Sequence, residues 1–201
     1  DLYQMHHIDR DAPWEEIWQA MEILVAQGKV LYVGSSNFAG WHIAQANEIS
    51  KKRNFLGLVS EQSLYNLSQR SVELEVLPSC EDYGLGFIPW SPLAGGMLGG
   101  KPSNNEKSRR KASTDRYEKF NDQLDKYFSV CKEYAIHPAQ LALAWLLHNP
   151  VVTAPIIGPR AVEQLDESLI SIDYKMEENL INILDEIWPG PGGPAPEAYA
   201  W

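Results

Sequence analysis

The sequence has few of the residues that support a disulfide framework, a metal centre or a nucleic-acid interface. Cysteine occurs only at Cys80 and Cys131, with no CxxC spacing and no paired histidines nearby, so we expect two reduced thiols and no metal site. Acidic residues outnumber basic ones, with 27 Asp and Glu against 17 Lys and Arg, which gives a formal net charge of −10. This charge argues against general binding to nucleic acid, whereas an anionic cofactor needs only a local basic pocket.

The sequence also lacks a long apolar run and a secretory signal. Its longest apolar stretch, 141–147, is much shorter than the roughly 20 residues that span a bilayer. The first residues, DLYQMHHID, have no basic start, apolar core or small-residue cleavage site. We therefore expect a cytoplasmic protein without a membrane segment.

What the sequence does contain is an alternation of strand and helix patterns. Apolar runs at the start of the chain and at 30–34, 56–59, 86–90 and 152–157 predict five strands. Helices are expected over 14–25, 41–52, 72–80, 122–134, 138–148, 162–170 and 176–187. Because the strands are apolar throughout, they are typical of a parallel sheet that is buried on both faces. Periodicity alone leaves open whether this sheet is doubly wound or part of a barrel.

Polar or aromatic side chains follow the apolar runs at the points where helices are about to begin. They are His6, Ser36, Asn37, Gln62, Trp90 and Ser91. The carboxyl ends of parallel strands are where a barrel collects its active site, so we expect these residues at one end of the sheet. The alternatives are helix capping for the Ser-Asn pair and ordinary core packing for the tryptophan.

Four segments resemble the aldo-keto reductases in their order along the chain and in their residues: DLYQMHHID, VLYVGSSNF, LVSEQSLYN and GFIPWSPLAGG. The aldo-keto reductases are nicotinamide-dependent carbonyl reductases built on the TIM (β/α)8 barrel. The resemblance implies that 1–188 is a partial barrel of the α/β class that supplies the last five βα units, with a lid-like loop at 94–121. A Pro/Gly-rich tail follows at 189–201. The 201 residues are short for a complete barrel, which needs about 250.

The resemblance also implies roles for individual residues. His6 would be catalytic, donating a hydrogen bond to a substrate carbonyl, and we expect His7 to point to the opposite side of the strand. Ser36, Asn37 and Gln62 would hold the nicotinamide carboxamide, and Trp90 would stack on its ring. Further cofactor contacts would come from Ser91, Leu93, Lys101, Gly158, Arg160, Gln164, Glu167 and Ser168. Arg160 could pair with an adenosine 2′-phosphate, which favours NADP, whereas family members commonly carry Glu-Asn at the Glu167-Ser168 position.

The catalytic tetrad of the family comprises an aspartate, a tyrosine, a lysine and a histidine, and only the histidine has a counterpart here. We therefore expect an NADP-dependent reductase of aldehydes or ketones whose 201-residue chain is weak or inactive alone. The alternative is a non-catalytic NADP-binding or interaction protein similar to potassium-channel β subunits. The expected partners are a small carbonyl substrate and either a second copy or another protein that covers the exposed sheet edges, with no nucleic acid and no membrane.

Overall fold

The computed structural model describes residues 1–100 and 118–195, and these residues form two compact units. The first unit comprises Asp1–Leu64, Ser71–Ile88 and the described part of Pro191–Trp201. The second comprises Tyr65–Arg70 and Pro89–Gly190 as far as they are described. The loop expected at 94–121 and the tail expected at 189–201 both fall partly outside the described residues.

Four strands form one sheet in sequence order: β1 (Leu2–Met5), β2 (Tyr32–Ser36), β3 (Leu58–Leu64) and β4 (Gly86–Trp90). β1 pairs with β2 in parallel, and β2 pairs with β3 in parallel. An irregularity between Val33 and Gly34 shifts the second pairing, so that Ser36 lies opposite Gln62. The shift therefore sets the last residue of β2 opposite a residue near the carboxyl end of β3.

Helices α1 (Trp14–Ala26), α2 (Gly40–Lys52) and α3 (Val76–Tyr83) belong to the first unit. Trp18 on α1 is completely buried, and its indole Nε1–H donates to the Ala46 carbonyl on α2 at 2.9 Å. Gly40 allows α2 to approach α3 closely, since a Cβ at this position would lie 2.7 Å from the Glu75 backbone oxygen. The buried Trp18 and the small Gly40 thus allow the three helices to pack together as a layer.

The second unit contains α4 (Asn121–Glu133), α5 (Pro138–His148), α6 (Val162–Leu169) and α7 (Glu178–Ile187). Residues 141–146 of α5 are all buried, as expected of a helix that is apolar on every side. The Arg70 guanidinium donates to Asp185 at 2.5 Å and to the Trp188 carbonyl at 2.8 Å. These bonds fix the short segment Tyr65–Arg70 to α7 and the residue that follows it.

Several predicted elements differ from the structure. The strands predicted at 30–34 and 56–59 begin and end earlier in the chain than the observed β2 and β3. The fifth predicted strand, at 152–157, has no regular strand assigned, although the Ile156 N–H donates to the Pro89 carbonyl at 2.8 Å. Pro155 has no N–H to donate, so this segment lacks one of the backbone bonds of a regular ladder. The helix predicted at 72–80 begins later, as α3, after a 3-10 turn at Ser71–Glu73. Pro78 is tolerated only in the first turn of a helix, so it places the start at Val76.

The other predicted helices are present within one or two residues of their expected ends. Within the two described ranges, no helix is both long enough and apolar enough to cross a membrane.

Candidate functional site

Hydrogen bonds join the four predicted site residues of the first unit. The Ser36 hydroxyl donates to the Gln62 carbonyl at 2.8 Å, and the Asn37 N–H donates to the same oxygen at 3.0 Å. The Asn37 side-chain amide donates to the Ser36 hydroxyl at 2.9 Å and more weakly to the His6 carbonyl at 3.4 Å. The carboxyl ends of β1, β2 and β3 therefore bring His6, Ser36, Asn37 and Gln62 together, as the sequence predicts for these strands.

Asn37 adopts a left-handed backbone conformation, with φ of 59°. Asparagine accepts this conformation more readily than most residues with a side chain. The turn that it makes leads into α2, whose N-cap is Ala39 and has no side-chain capping bond. The capping alternative for Ser36 and Asn37 is therefore wrong.

Gln62 presents an amide that suits a ligand with both donor and acceptor groups. Its backbone carbonyl holds the turn after β2, but its half-buried side chain has no hydrogen-bond partner among the described residues. An amide side chain supplies one acceptor and two donor hydrogens. A carboxamide ligand beside it would satisfy both kinds of group, so this end of β3 fits the nicotinamide that the resemblance implies.

His6 and His7 do not lie on opposite sides of a strand. Both residues follow the end of β1, and their ring centroids are 4.1 Å apart in an edge-on arrangement. The expected separation is therefore wrong, because side chains alternate only within a regular strand. His6 is exposed, so its imidazole is accessible to a ligand at this end of the sheet.

Glu61 is a residue of this region that the sequence reading missed. It is completely buried in β3, and its carboxylate accepts hydrogen bonds from the hydroxyls of Ser35 and Ser63, each at 2.5 Å. It also accepts the backbone N–H of Phe38 at 3.1 Å. Burial raises the pKa of Glu61, and the hydrogen bonds from Ser35, Ser63 and the backbone of Phe38 and Asn37 partly oppose that rise. The sequence signal that could have identified Glu61 is an ionisable residue in a strand segment whose other residues are only weakly polar.

In the second unit, Trp90, Ser91 and Leu93 lie at the end of β4 and in the turn after it. Ser91 has a positive φ of 56°, and its carbonyl accepts the Asn66 side-chain amide and the Ala94 N–H, each at 2.9 Å. The Leu93 carbonyl accepts the N–H of a following glycine at 2.8 Å. Asn66, which the sequence reading did not single out, thus holds this turn in place. Lys101 lies outside the described residues.

The five candidates for the adenosine half of a cofactor lie before and within α6: Gly158, Arg160, Gln164, Glu167 and Ser168. The Gln164 side-chain oxygen accepts the Arg160 N–H at 2.8 Å, and the Ser168 hydroxyl donates to the Gln164 carbonyl at 2.7 Å. Both contacts stabilise the helix and its entry. The side chains of Arg160 and Glu167 are exposed, so they are accessible to a ligand.

Comparison with known proteins establishes the family. The model of the Aldo/keto reductase family matches residues 1–189. The chain belongs to this family. The α/β fold class expected from the sequence is thereby confirmed, since the family implies a TIM barrel and the parallel sheet with its connecting helices is consistent with part of one.

Several curated proteins are similar to this aldo/keto reductase family chain. An uncharacterized oxidoreductase, YrpG of Bacillus subtilis, is 53% identical over the whole chain, which covers 62% of that protein. Versiconal hemiacetal acetate reductase of Aspergillus parasiticus is 32% identical over 92% of the chain and 56% of its own length. A putative voltage-gated potassium channel subunit beta of Schizosaccharomyces pombe is 31% identical over 93% of the chain and 58% of its own length. The chain thus spans little more than half the length of these relatives.

Proposed function

We propose that the protein is an NADP-dependent oxidoreductase that transfers a hydride between NADPH and an aldehyde or ketone. Membership of the aldo/keto reductase family supports this proposal. The observation that carries it is the joined group of Ser36, Asn37 and Gln62 at the ends of β2 and β3. When bound, the reduced nicotinamide supplies the hydride, and the residues of the chain bind and orient the reactants.

The nicotinamide end of the cofactor is assigned to the first unit. The Gln62 amide has donors and an acceptor for the carboxamide, and Ser36 and Asn37 add a hydroxyl and a second amide beside it. Because the Ser36 hydroxyl and the Asn37 backbone N–H are both bonded to the Gln62 carbonyl in β3, the turn that carries Ser36 and Asn37 is set before the cofactor arrives. Such preorganisation lowers the entropic cost of binding.

His6 is proposed to donate a hydrogen bond to the substrate carbonyl oxygen. Such a bond favours hydride addition because negative charge develops on that oxygen. Trp90, at the end of β4, is proposed to stack on the nicotinamide ring and to shield one face of it. Ser91, Leu93 and Lys101 are assigned to the pyrophosphate side.

The adenosine half is assigned to the segment around α6. The exposed Arg160 can pair with a 2′-phosphate, and this is the basis for proposing NADP rather than NAD. The backbone N–H groups at the start of α6 add a positive partial charge that suits phosphate oxygens. Gly158, Gln164, Glu167 and Ser168 complete the proposed contacts.

The second candidate function is NADP binding without turnover. Similarity to a protein named as a potassium channel subunit beta favours it. Three of the four tetrad residues have no counterpart within these 201 residues themselves. A missing general acid removes a factor of about 10² to 10⁴ in rate. We therefore propose that these residues alone reduce carbonyls weakly or not at all. A cytoplasmic location and a partner or second copy at the sheet edges stay predictions.

An activity assay with complementation separates the two functions. NADPH oxidation is measured with a panel of aldehydes, first with the 201-residue chain and then with an added fragment that carries the strands, tyrosine and lysine of the family. Turnover that appears only with the fragment supports the reductase. NADPH binding without turnover in either sample favours the binding protein, and failure to bind NADPH or NADH contradicts both.

A further inference from the structure

Glu61 is the most deeply buried ionisable residue of β1, β2 and β3, and it takes no part in the proposed hydride transfer. It precedes Gln62 in β3, and alternation along the strand turns its side chain away from the face that Gln62 occupies. Glu61 is completely buried, whereas the Gln62 side chain is half-buried. Glu61 therefore cannot touch a ligand that Gln62 binds, and any effect on such a ligand is indirect.

The contacts of Glu61 lead directly to the turn after β2. One carboxylate oxygen accepts the Phe38 N–H at 3.1 Å and the Ser63 hydroxyl at 2.5 Å. The other accepts the hydroxyl of Ser35 at 2.5 Å. The carboxylate thus joins the last residues of β2, the turn and β3 in one buried network.

Two successive residues of β3 hold the left-handed turn at Asn37 from both sides. The Gln62 carbonyl accepts the N–H of Asn37 itself, and the Glu61 carboxylate accepts the N–H of the next residue, Phe38. A left-handed non-glycine residue persists only where its surroundings fix it. Without Glu61, one of the two N–H groups that bracket this conformation loses its buried acceptor.

We propose that Glu61 is a positioning residue that holds the Ser36-Asn37 turn in the shape that binds the nicotinamide carboxamide. This inference rests on the proposed function, since it concerns how that cofactor is held. Glu61 acts through the turn rather than on the cofactor. Its loss should therefore weaken contacts to the nicotinamide half and spare those to the adenosine half.

The test compares NADPH with 2′,5′-ADP, which keeps the adenosine 2′-phosphate and lacks the nicotinamide. Binding of both is measured by titration calorimetry on the full chain carrying Glu61→Ala. We expect a 10- to 100-fold loss in NADPH affinity, the range for removing a hydrogen bond to a buried charged group. Affinity for 2′,5′-ADP should stay within about threefold.

Glu61→Gln is the conservative variant. Its amide oxygen can accept the Phe38 N–H, while its amide nitrogen donates to Ser35, whose hydroxyl can turn to the Ser60 carbonyl 3.3 Å away. We therefore expect Glu61→Gln to keep NADPH affinity within about threefold of the unchanged protein. If Glu61→Ala only impaired folding, it would weaken the binding of both ligands, and Glu61→Gln would restore both rather than NADPH alone.

Asn47→Ala is the matched control. Asn47 is also buried, and its side-chain oxygen accepts a backbone N–H of β3, that of Leu58 at 3.0 Å, at the opposite end of the strand. It should lower stability without changing the ratio of the two affinities. If Glu61→Ala does not fold, Glu61→Asn replaces it, because the shorter side chain stays polar between the serines but cannot reach Phe38.

The outcomes separate this inference from the proposed function. If the unchanged protein binds neither NADPH nor NADH, the proposed function fails and the role of Glu61 fails with it. If the unchanged protein binds NADPH and the Glu61 variants shift both ligands equally, as Asn47→Ala does, only the positioning role is overturned. A selective loss for NADPH that Glu61→Gln restores supports it.

Discussion

Replacing Asn37 by glycine and by alanine should separate the backbone role of this residue from its side-chain role. Both variants lose the side-chain bond to the Ser36 hydroxyl, which spans 2.9 Å and is worth about 0.5–1.5 kcal/mol. The two variants differ in how readily their backbone adopts the φ of 59° that residue 37 has in the structure. Alanine in the left-handed region costs about 1–2 kcal/mol, whereas glycine adopts it without strain.

The expected difference follows from two opposing contributions. Glycine loses about 0.5–1 kcal/mol more chain entropy than alanine on folding, which offsets part of its advantage. Asn37→Gly should therefore be more stable than Asn37→Ala by about 0–1.5 kcal/mol, with a midpoint of about 0.75 kcal/mol. For a chain of 201 residues this midpoint corresponds to a difference in Tm of about 1.5–3 °C.

Urea denaturation followed by tryptophan fluorescence measures this difference, and an NADPH titration on the same samples measures the side-chain role. Both variants should lose about tenfold in NADPH affinity, since neither has the side-chain amide. An alanine variant that is more stable than the glycine variant would refute the left-handed conformation of residue 37. Unchanged NADPH affinity in the glycine variant would refute the carboxamide contact of Asn37.

Three further predictions concern cofactor choice, activity and thiol chemistry. Arg160→Ala should erase the preference for NADPH over NADH at a cost of about 1.5–3 kcal/mol and spare NADH binding; equal weakening of both in a titration would mean that Arg160 is structural. In the complemented aldehyde assay, His6→Ala should lower kcat while NADPH still binds; unchanged kcat would exclude His6 from catalysis. Burial raises the pKa of both Cys80 and Cys131 to about 12, so little thiolate exists at mildly alkaline pH. Iodoacetamide should therefore label the folded protein far more slowly than the urea-unfolded one, and equal rates would contradict this burial.

The helices show how much of the fold could be predicted from the sequence. Trp14 and Trp18 recur at a helical spacing, and the structure has both buried on α1. Helix α5 follows from an apolar run that begins at Pro138, a residue that suits the first helical turn. These elements were predictable because the helical spacing of apolar residues on α1 and the apolar run of α5 are both local features of the sequence.

The strand ends show where sequence reasoning was partly right. His6, Ser36 and Gln62 were expected together because parallel strands end at the same edge, and the structure joins them through backbone and side-chain bonds. The separation expected for His6 and His7 was wrong, since both lie beyond the regular strand. The predicted strand at 152–157 was also wrong, although the Ile156 N–H of this segment donates to the Pro89 carbonyl of β4.

The α/β alternation follows from the sequence alone, and so do the positions of most helices and the polar groups near the ends of the first strands. Three features required the folded chain: the register that sets Ser36 opposite Gln62, the left-handed turn at Asn37 and the contacts of Glu61. Periodicity reports which face of an element is buried, whereas these three features depend on hydrogen bonds between residues more than 20 positions apart. Such pairs form only once the neighbouring strands have packed together.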